Sequence, residues 1–336
     1  MKIDIFNHIL PEKYNIEFEK LTPSLKDMGT RHRLPGMANL DERFKIMDEF
    51  GDYAHVISLA SPPIEAIAGP DVTPRLAAIG NDGMAELVQK HPNRFPGFVA
   101  GLPMNNPDAS LKELQRAAGL GALGFQIYTN VNGKPLDAPE FKGIFDEIAR
   151  LDLGVWLHPA RNGSFADYQT ETRSKYEIWW TFGWPYETSV AMSHLVFSGL
   201  FDRHPNIKIL THHMGAMIPY FEGRVGYGWD ALGKRSAGEG NDVLLQNMKA
   251  KGKRPIDYFK NFLADTALFG ADAGTKCGLA FFGIDNVLFA SDFPFEPSPG
   301  LYPRETIRVI EGLGLNAADK EKIYSGNAKR LFKLKG

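Results

Sequence analysis

The sequence contains a single cysteine, Cys277, among its 336 residues. A disulfide within the chain is therefore excluded, and a reducing compartment suits such a protein. Charge of either sign is not in excess, since 38 Lys and Arg residues nearly balance 40 Asp and Glu residues. The sequence also lacks an apolar run of about 18 residues, which a membrane-spanning helix would need. It does not begin with the basic segment and following apolar segment that are typical of a signal peptide. We therefore expect a cytoplasmic protein that binds neither nucleic acid nor membranes.

Eight short runs typical of β-strands recur along the chain, and amphipathic helical segments separate them. The runs are 3–6, 55–60, 95–101, 122–127, 154–159, 207–213, 262–267 and 286–292. Alternation of strand and helix favours parallel strands, and eight such units are enough to close a (β/α)₈ TIM barrel. We predict one α/β barrel domain over residues 1–336, with long loops after strands 1, 5 and 6. Its active site should lie over the carboxyl-terminal ends of the strands.

Side chains suited to metal binding occur where four of these strands end. His8 closes the first strand, His158 the fifth, the pair His212 and His213 the sixth, and Asp292 the eighth. Closure of the barrel would bring these side chains together over one mouth. A lone histidine at a strand end is more often a hydrogen-bonded structural residue. Four strands that share the pattern favour a centre for zinc, manganese or a similar divalent ion.

Four motifs resemble those of the amidohydrolase-like enzymes, in the branch of aminocarboxymuconate semialdehyde decarboxylase (amidohydrolase family 2). IDIFNHILP is similar to the branch's opening I-D-x-H-x-H-x-x-P, WLHP to its strand 5 motif, HMGAMIPYFEGR to its strand 6 segment and FASDFPF to its strand 8 motif. The resemblance implies that His8, His158 and Asp292 bind the metal. It also implies that His213, rather than His212, takes part in proton transfer, for which Asp292 is a second candidate.

The sequence departs from this branch at Phe6, where the family carries histidine or, in some decarboxylases, glutamate. Phenylalanine offers no lone pair to a cation. With a period of two residues, Asp4 and His8 share the face of Phe6, and Asn7 projects from the other face. Three ligands would remain, which is enough for a catalytic zinc site with open positions. A metal-free site is the alternative.

The loop after strand 5 is dense in aromatic residues. Four of them crowd within six positions: Trp179, Trp180, Phe182 and Trp184. Trp180 matches a pocket tryptophan of the family, and an indole wall suits a planar substrate. Packing against a neighbouring subunit is the alternative. Arg161 is the best placed partner for a substrate carboxylate, which a guanidinium binds through two parallel hydrogen bonds. Arg31 and Arg33 are further candidates.

The resemblance and the loop together predict a metal-dependent enzyme that decarboxylates a planar unsaturated or aromatic carboxylic acid without redox chemistry. The same barrel mouth would serve a hydrolase or hydratase acting on a lactone, ester or enol acid. A barrel that has lost catalysis and only binds a ligand is a third possibility, against which the four retained strand-end residues argue. The expected partners are a small carboxylic acid substrate and further copies of the chain, in a dimer or larger homo-oligomer.

Overall fold

Eight parallel strands run through the computed structural model, which describes residues 1–22, 34–236 and 242–334. In chain order, β1 to β8 are Lys2–Ile9, Tyr53–Leu59, Gly97–Gly101, Gly124–Tyr128, Gly154–His158, Lys208–Thr211, Leu263–Asp265 and Val287–Leu288. Each strand is hydrogen-bonded to its neighbours in the sequence. The predicted (β/α)₈ barrel is confirmed.

The eighth strand is shorter than predicted because the residues after it turn towards β1. The Ile5 amide donates to the carbonyl of Phe289 (2.9 Å), and the His8 amide donates to that of Phe293 (2.8 Å). In the opposite direction, the Asp292 amide donates to the carbonyl of Phe6 (3.2 Å). These bonds join the last strand region to the first and set Asp292 beside β1.

Helices cover the outside of the strands. The α-helices α1 to α16 are Glu12–Leu21, Leu40–Asp48, Ile64–Ile67, Thr73–Lys90, Pro107–Gly119, Lys142–Arg150, Ile178–Thr181, Gly183–Phe197, Leu200–Arg203, Glu222–Asp230, Asp242–Ala250, Pro255–Phe259, Asp272–Phe282, Leu301–Gly312, Ala317–Glu321 and Asn327–Phe332. Short 3₁₀ turns span Pro139–Phe141 and Ile284–Asn286, a π-helical turn spans Lys322–Gly326, and Asn130–Val131 pairs with Lys134–Pro135 as a small hairpin. Within the described ranges, every helix is too short or too polar to cross a membrane.

Two apolar clusters hold the layers together. The larger one lies between strands and helices, and the smaller one includes Ile3, Val56, Val99, Trp156 and Leu210. Alternate residues of the strands contribute to the two clusters, as expected for strands buried on both faces. The fully buried indole of Trp156 donates to the carbonyl of Ile5 (2.8 Å), so its N–H is paired within the interior. This apolar filling forms the floor below the strand ends.

A bulge in β1 changes which of its side chains face inwards. Asp4 pairs with His55 and Asn7 with Ile57, so β1 carries one residue more than β2 over this interval. Ile5 and Phe6 consequently both belong to the inner cluster. The prediction that Asp4 shares the face of Phe6 and His8 is wrong.

Candidate active site

Three histidines at the barrel mouth are held in the same way, through their Nδ1 atoms. The Nδ1 of His8 lies 3.2 Å from the carbonyl oxygen of Leu59, and that of His158 lies 2.8 Å from the carbonyl oxygen of Pro159. The Nδ1 of His212 lies 2.5 Å from Oδ2 of Asp265. Carbonyl and carboxylate oxygens accept hydrogen bonds, so each Nδ1 is the donor and each Nε2 is the ring nitrogen left to bind a ligand.

The free nitrogens converge with one carboxylate. Oδ1 of Asp292 lies 3.2 Å from Nε2 of His8 and 3.3 Å from Nε2 of His212. Candidate ligand atoms of His8, His158 and His212 all lie within 4.8 Å of one another. Nε2 of His8, Nε2 of His212 and Oδ1 of Asp292 are buried and have no hydrogen-bond partner among the described residues. Buried polar atoms without a partner are uncommon and call for an explanation.

These atoms fit a divalent metal ion. Zinc binds nitrogen and carboxylate oxygen at about 2.0–2.1 Å, which sets neighbouring ligand atoms of a tetrahedral site about 3.4 Å apart. The observed 3.2 and 3.3 Å separations around Asp292 agree with that spacing. The histidines are also oriented as metal ligands are, with the second ring nitrogen donating to a carbonyl or carboxylate. The donor set thus accommodates the metal that the resemblance implied.

Asp265, at the end of β7, is the site residue that the sequence analysis missed. Its Oδ1 accepts from the backbone amides of His213 and Ala267, both at 3.0 Å, and its Oδ2 accepts from His212. The carboxylate is completely buried. Its position at a strand end, the criterion already applied to four other strands, was the available signal.

Burial and neighbouring charges shift the pKa values of three groups in the cluster differently. Burial lowers the pKa of His158 well below its usual value, and electrostatic repulsion from His8 and His212 lowers it further. Burial also favours a neutral His212, but Asp265 and Asp292 outweigh it and raise the pKa of His212 to about 10. Burial opposes the charged form of Asp292, yet the adjacent histidines, His212 first, hold its pKa well below the usual range. Asp292 is therefore a carboxylate.

His213 follows His212 but is placed differently. Its Nε2 lies 3.6 Å from Oδ2 of Asp292, whereas His8 and His212 make their closest approach to Oδ1. Its backbone has a φ of 57°, and Asp292 has a φ of 65°. Left-handed backbone at residues other than glycine is uncommon and clusters at functional sites. The ring is 8% exposed, whereas those of His8 and His212 are fully buried, so His213 lies on the solvent side of the cluster.

A cleft opens next to His158. Its volume is about 310 Å³, within the range of about 300–1,000 Å³ that small-molecule sites occupy. Tyr128 and Trp184 line it, and their rings lie 4.7 and 5.8 Å from that of His158. Trp179 and Arg161 complete one wall. The cleft therefore has aromatic walls and one cationic side chain.

The predicted substrate residues occupy different positions relative to this cleft. Arg161 lines it, and its Nη1 donates to Oε1 of Glu187 at 2.9 Å. Trp180 is half-buried beside the cleft, where its indole N–H donates to Glu177 (2.7 Å) and its ring lies 6.4 Å from that of Trp184. The other two arginine candidates, Arg31 and Arg33, lie outside the described residues.

Comparisons with known proteins place these residues in a family context. The amidohydrolase family model matches residues 3–334. The γ-resorcylate decarboxylase of Polaromonas sp. is 31% identical over 342 aligned residues, which cover 99% of this chain and 98% of that protein. The 2-amino-3-carboxymuconate-6-semialdehyde decarboxylase of Dictyostelium discoideum is 28% identical and covers 99% of this chain and 92% of its own length.

A solved structure extends the likeness to the whole fold. The crystal structure of a dihydroxybenzoic acid decarboxylase from Polaromonas sp., with bound manganese and the inhibitor 2-nitroresorcinol, superposes with a TM-score of 0.77 at 27% identity. The superposition covers 99% of this chain and 97% of that one. The chain therefore belongs to the amidohydrolase family, in the branch that contains the γ-resorcylate and aminocarboxymuconate semialdehyde decarboxylases.

Proposed function

We propose that this protein is a metal-dependent carboxy-lyase that removes carbon dioxide, without redox chemistry, from a planar aromatic or unsaturated carboxylic acid. The observation that carries the proposal is the convergence of unpaired histidine nitrogens and the Asp292 carboxylate beside a cleft with aromatic walls. The relatives named as decarboxylases support the reaction class.

In this proposal, His8, His158 and Asp292 hold the divalent ion. Zinc suits three such ligands with open positions, and manganese is the ion bound in the Polaromonas structure. When bound, the ion supplies a positive charge that stabilises negative charge on substrate oxygens. The burial of His8 and Asp292 excludes bulk water from these side chains and would strengthen their electrostatic interactions with a bound ion.

Proton delivery falls to His213, with Asp292 as its partner. Loss of carbon dioxide breaks a carbon–carbon bond and leaves the electron pair of that bond on the substrate carbon. A proton must then be added to this carbon. His213 Nε2 lies 3.6 Å from Oδ2 of Asp292 and His213 is the more exposed of the two neighbouring histidines, so a proton can be held between these two side chains at the edge of the cluster. A general acid in such a position contributes about 10²–10⁴-fold to rate.

Substrate selection falls to the cleft. A flat ring would enter the cleft that Tyr128 and Trp184 line, and their rings offer offset or edge contacts to an aromatic molecule. Arg161 keeps further N–H groups beyond the one bonded to Glu187, and these can pair with a carboxylate or a phenolic oxygen. Trp180 would form the outer rim. The homo-oligomer, a dimer or larger, and the cytoplasmic location remain predictions.

The test is carbon dioxide release from a panel of aromatic acids, led by 2,6-dihydroxybenzoate, with purified protein supplied with manganese or zinc. In deuterium oxide, the product should carry one deuterium at the carbon that lost the carboxylate. His213→Asn should abolish that incorporation, and Arg224→Gln, outside the site, is the matched control. Hydrolysis of lactones or esters by the same preparation, without carbon dioxide release from any acid, would contradict the proposal.

A further inference from the structure

Phe6 leaves the interior of the metal cluster without a ligand from the middle of β1. Its ring is fully buried and stacks on the ring of His212, with centroids 4.0 Å apart. The rings of His8 and His158 lie 5.6 and 5.8 Å away. Phe6 thus packs against all three histidines and contributes no donor atom.

His212 is held more firmly than a core histidine needs to be. Its amide continues the β-ladder beyond β6 by donating to the carbonyl of Leu157 (3.3 Å), and its Nδ1 donates to Asp265. Asp265 is itself fixed by two backbone amides. One face of the His212 ring packs against Phe6, and its Nδ1 is hydrogen-bonded to Asp265. Nε2 is therefore the ring nitrogen that remains available to bind a ligand.

That atom points into the metal cluster. Nε2 of His212 is buried, has no hydrogen-bond partner among the described residues, and lies 3.3 Å from Oδ1 of Asp292. Oδ1 is the same oxygen that Nε2 of His8 approaches at 3.2 Å. His212 also belongs to both groups of side chains whose atoms are close enough to share an ion, one with His8 and His158 and one with His213 and Asp292.

The neighbouring His213 serves as an internal comparison. Its closest approach to Asp292 is longer, 3.6 Å, and is to the other oxygen. Its Nδ1 has no hydrogen-bond partner among the described residues, so its ring lacks the carboxylate anchor that orients His212. Ligating histidines are regularly fixed by such an outer hydrogen bond.

We propose that His212 is a metal ligand of this chain, so that His8, His158, His212 and Asp292 hold the ion, and that Asp265 is the positioning residue for His212. This inference rests on the proposed function for the presence of a metal. A fourth protein ligand compensates for the absence of a donor at Phe6, and His213 stays free to move a proton.

The test measures metal binding rather than turnover. The full chain is stripped of metal with a chelator and titrated with Mn²⁺ by calorimetry. Asp265→Asn should weaken binding by about 10–100-fold, the usual effect of losing an outer partner of a ligand. His212→Ala should weaken it further, and the control His213→Ala should leave it within about threefold of the wild type. Phe6→His in the His212→Ala background returns a ring nitrogen to the cluster from the neighbouring position and should recover affinity.

A second measurement needs no variant. X-ray absorption of the zinc-loaded wild type should count three imidazole ligands. A count of two, or an affinity of folded His212→Ala equal to that of the wild type, would overturn the assignment. A wild type that binds one ion through three histidines yet decarboxylates no acid would overturn the proposed function and leave this assignment intact.

Discussion

The two faces of β1 both carry buried polar side chains, but they use them differently. On the outer face, the fully buried Arg43 donates to Asn7 Oδ1 (3.1 Å), to His55 Nδ1 (2.8 Å) and to backbone carbonyls. Asp4 accepts from the Tyr53 hydroxyl at 2.6 Å and from Ser291. On the inner face, Nε2 of His8 has no such partner.

The difference shows that burial of polar groups does not by itself mark a functional site. The outer network pairs the guanidinium of Arg43 and the carboxyl of Asp4 with acceptors and donors of its own, as a structural role requires. Nε2 of His55 is left without a partner there among the described residues, but it stands alone. The inner cluster orients each histidine through one nitrogen and leaves the other nitrogen free. Several unpaired atoms aimed at one point distinguish the inner face, and a ligand or metal ion is the simplest way to satisfy them together.

The largest expected effect comes from the inner face. His8→Ala should lower kcat/KM by about 10³-fold or more, because it removes a metal ligand and with it the charge that stabilises the transition state. Thermal unfolding and elemental analysis are the accompanying measurements. The melting temperature should fall less than in an outer-face variant, and bound metal should fall well below one ion per chain. Full activity of a His8→Ala protein that holds no metal would show that the inner face of β1 does not act through a bound metal.

The next effect comes from the outer face. Arg43→Met leaves four acceptors without their donor, among them Asn7 Oδ1 and His55 Nδ1, and should cost about 3–5 kcal/mol of unfolding free energy. Guanidinium unfolding followed by circular dichroism measures this loss. Among the molecules that remain folded, the metal content per chain should be unchanged. Normal stability with lost metal would mean that the two faces form one functional unit.

Sequence patterns could predict the inner cluster only in part. His8, His158, His213 and Asp292 follow strand ends, and parallel strands in a barrel carry their ends to one mouth. The bulge between Asp4 and Asn7 could not be predicted, because an inserted residue leaves the apolar pattern of a fully buried strand unchanged. The orientation of the His212 ring depends on Asp265, 53 positions away in the chain, and on the stack with Phe6.

A smaller effect on kinetics is expected from Trp184, which lines the cleft next to His158. Trp184→Ala should raise KM for an aromatic acid by about fivefold or more, since a stacked aromatic contact contributes about 1 kcal/mol beyond its buried area. The ring of Trp184 lies 5.8 Å from His158 and lines the cleft. Trp180→Ala is the matched variant: Trp180 lies in α7 and Trp184 in α8, two helices in the segment that was expected to be a loop. It should reduce turnover more than it reduces stability. Steady-state kinetics and melting temperatures of both variants separate the roles, and equal losses of folding and activity would assign Trp180 to packing.

The smallest effect concerns Glu65, a buried carboxyl that stands apart from both networks. Its Oε1 has no hydrogen-bond partner among the described residues, and burial raises its pKa to about 8 from an unfolded value near 4.5. Between these two pH values the unfolded chain has lost the proton while the folded protein keeps it. The unfolded state then binds fewer protons, so stability falls as pH rises through this window.

Glu65→Gln removes that proton linkage. Its melting temperature should match that of the wild type within about 1 °C near pH 4.5 and should exceed it by a few degrees, roughly 2–4 °C for each kcal/mol, at pH 8. Other buried carboxyls, such as Asp4, titrate in both proteins and cancel in the difference. Melting temperatures and bound metal measured across this pH range complete the test. A difference that does not change with pH would show that Glu65 is not protonated in the folded state. Loss of bound metal in Glu65→Gln would mean that a single unpaired group, remote from the cluster, contributes to metal binding. The convergence of several unpaired atoms would then no longer distinguish the inner face of β1 from the outer face.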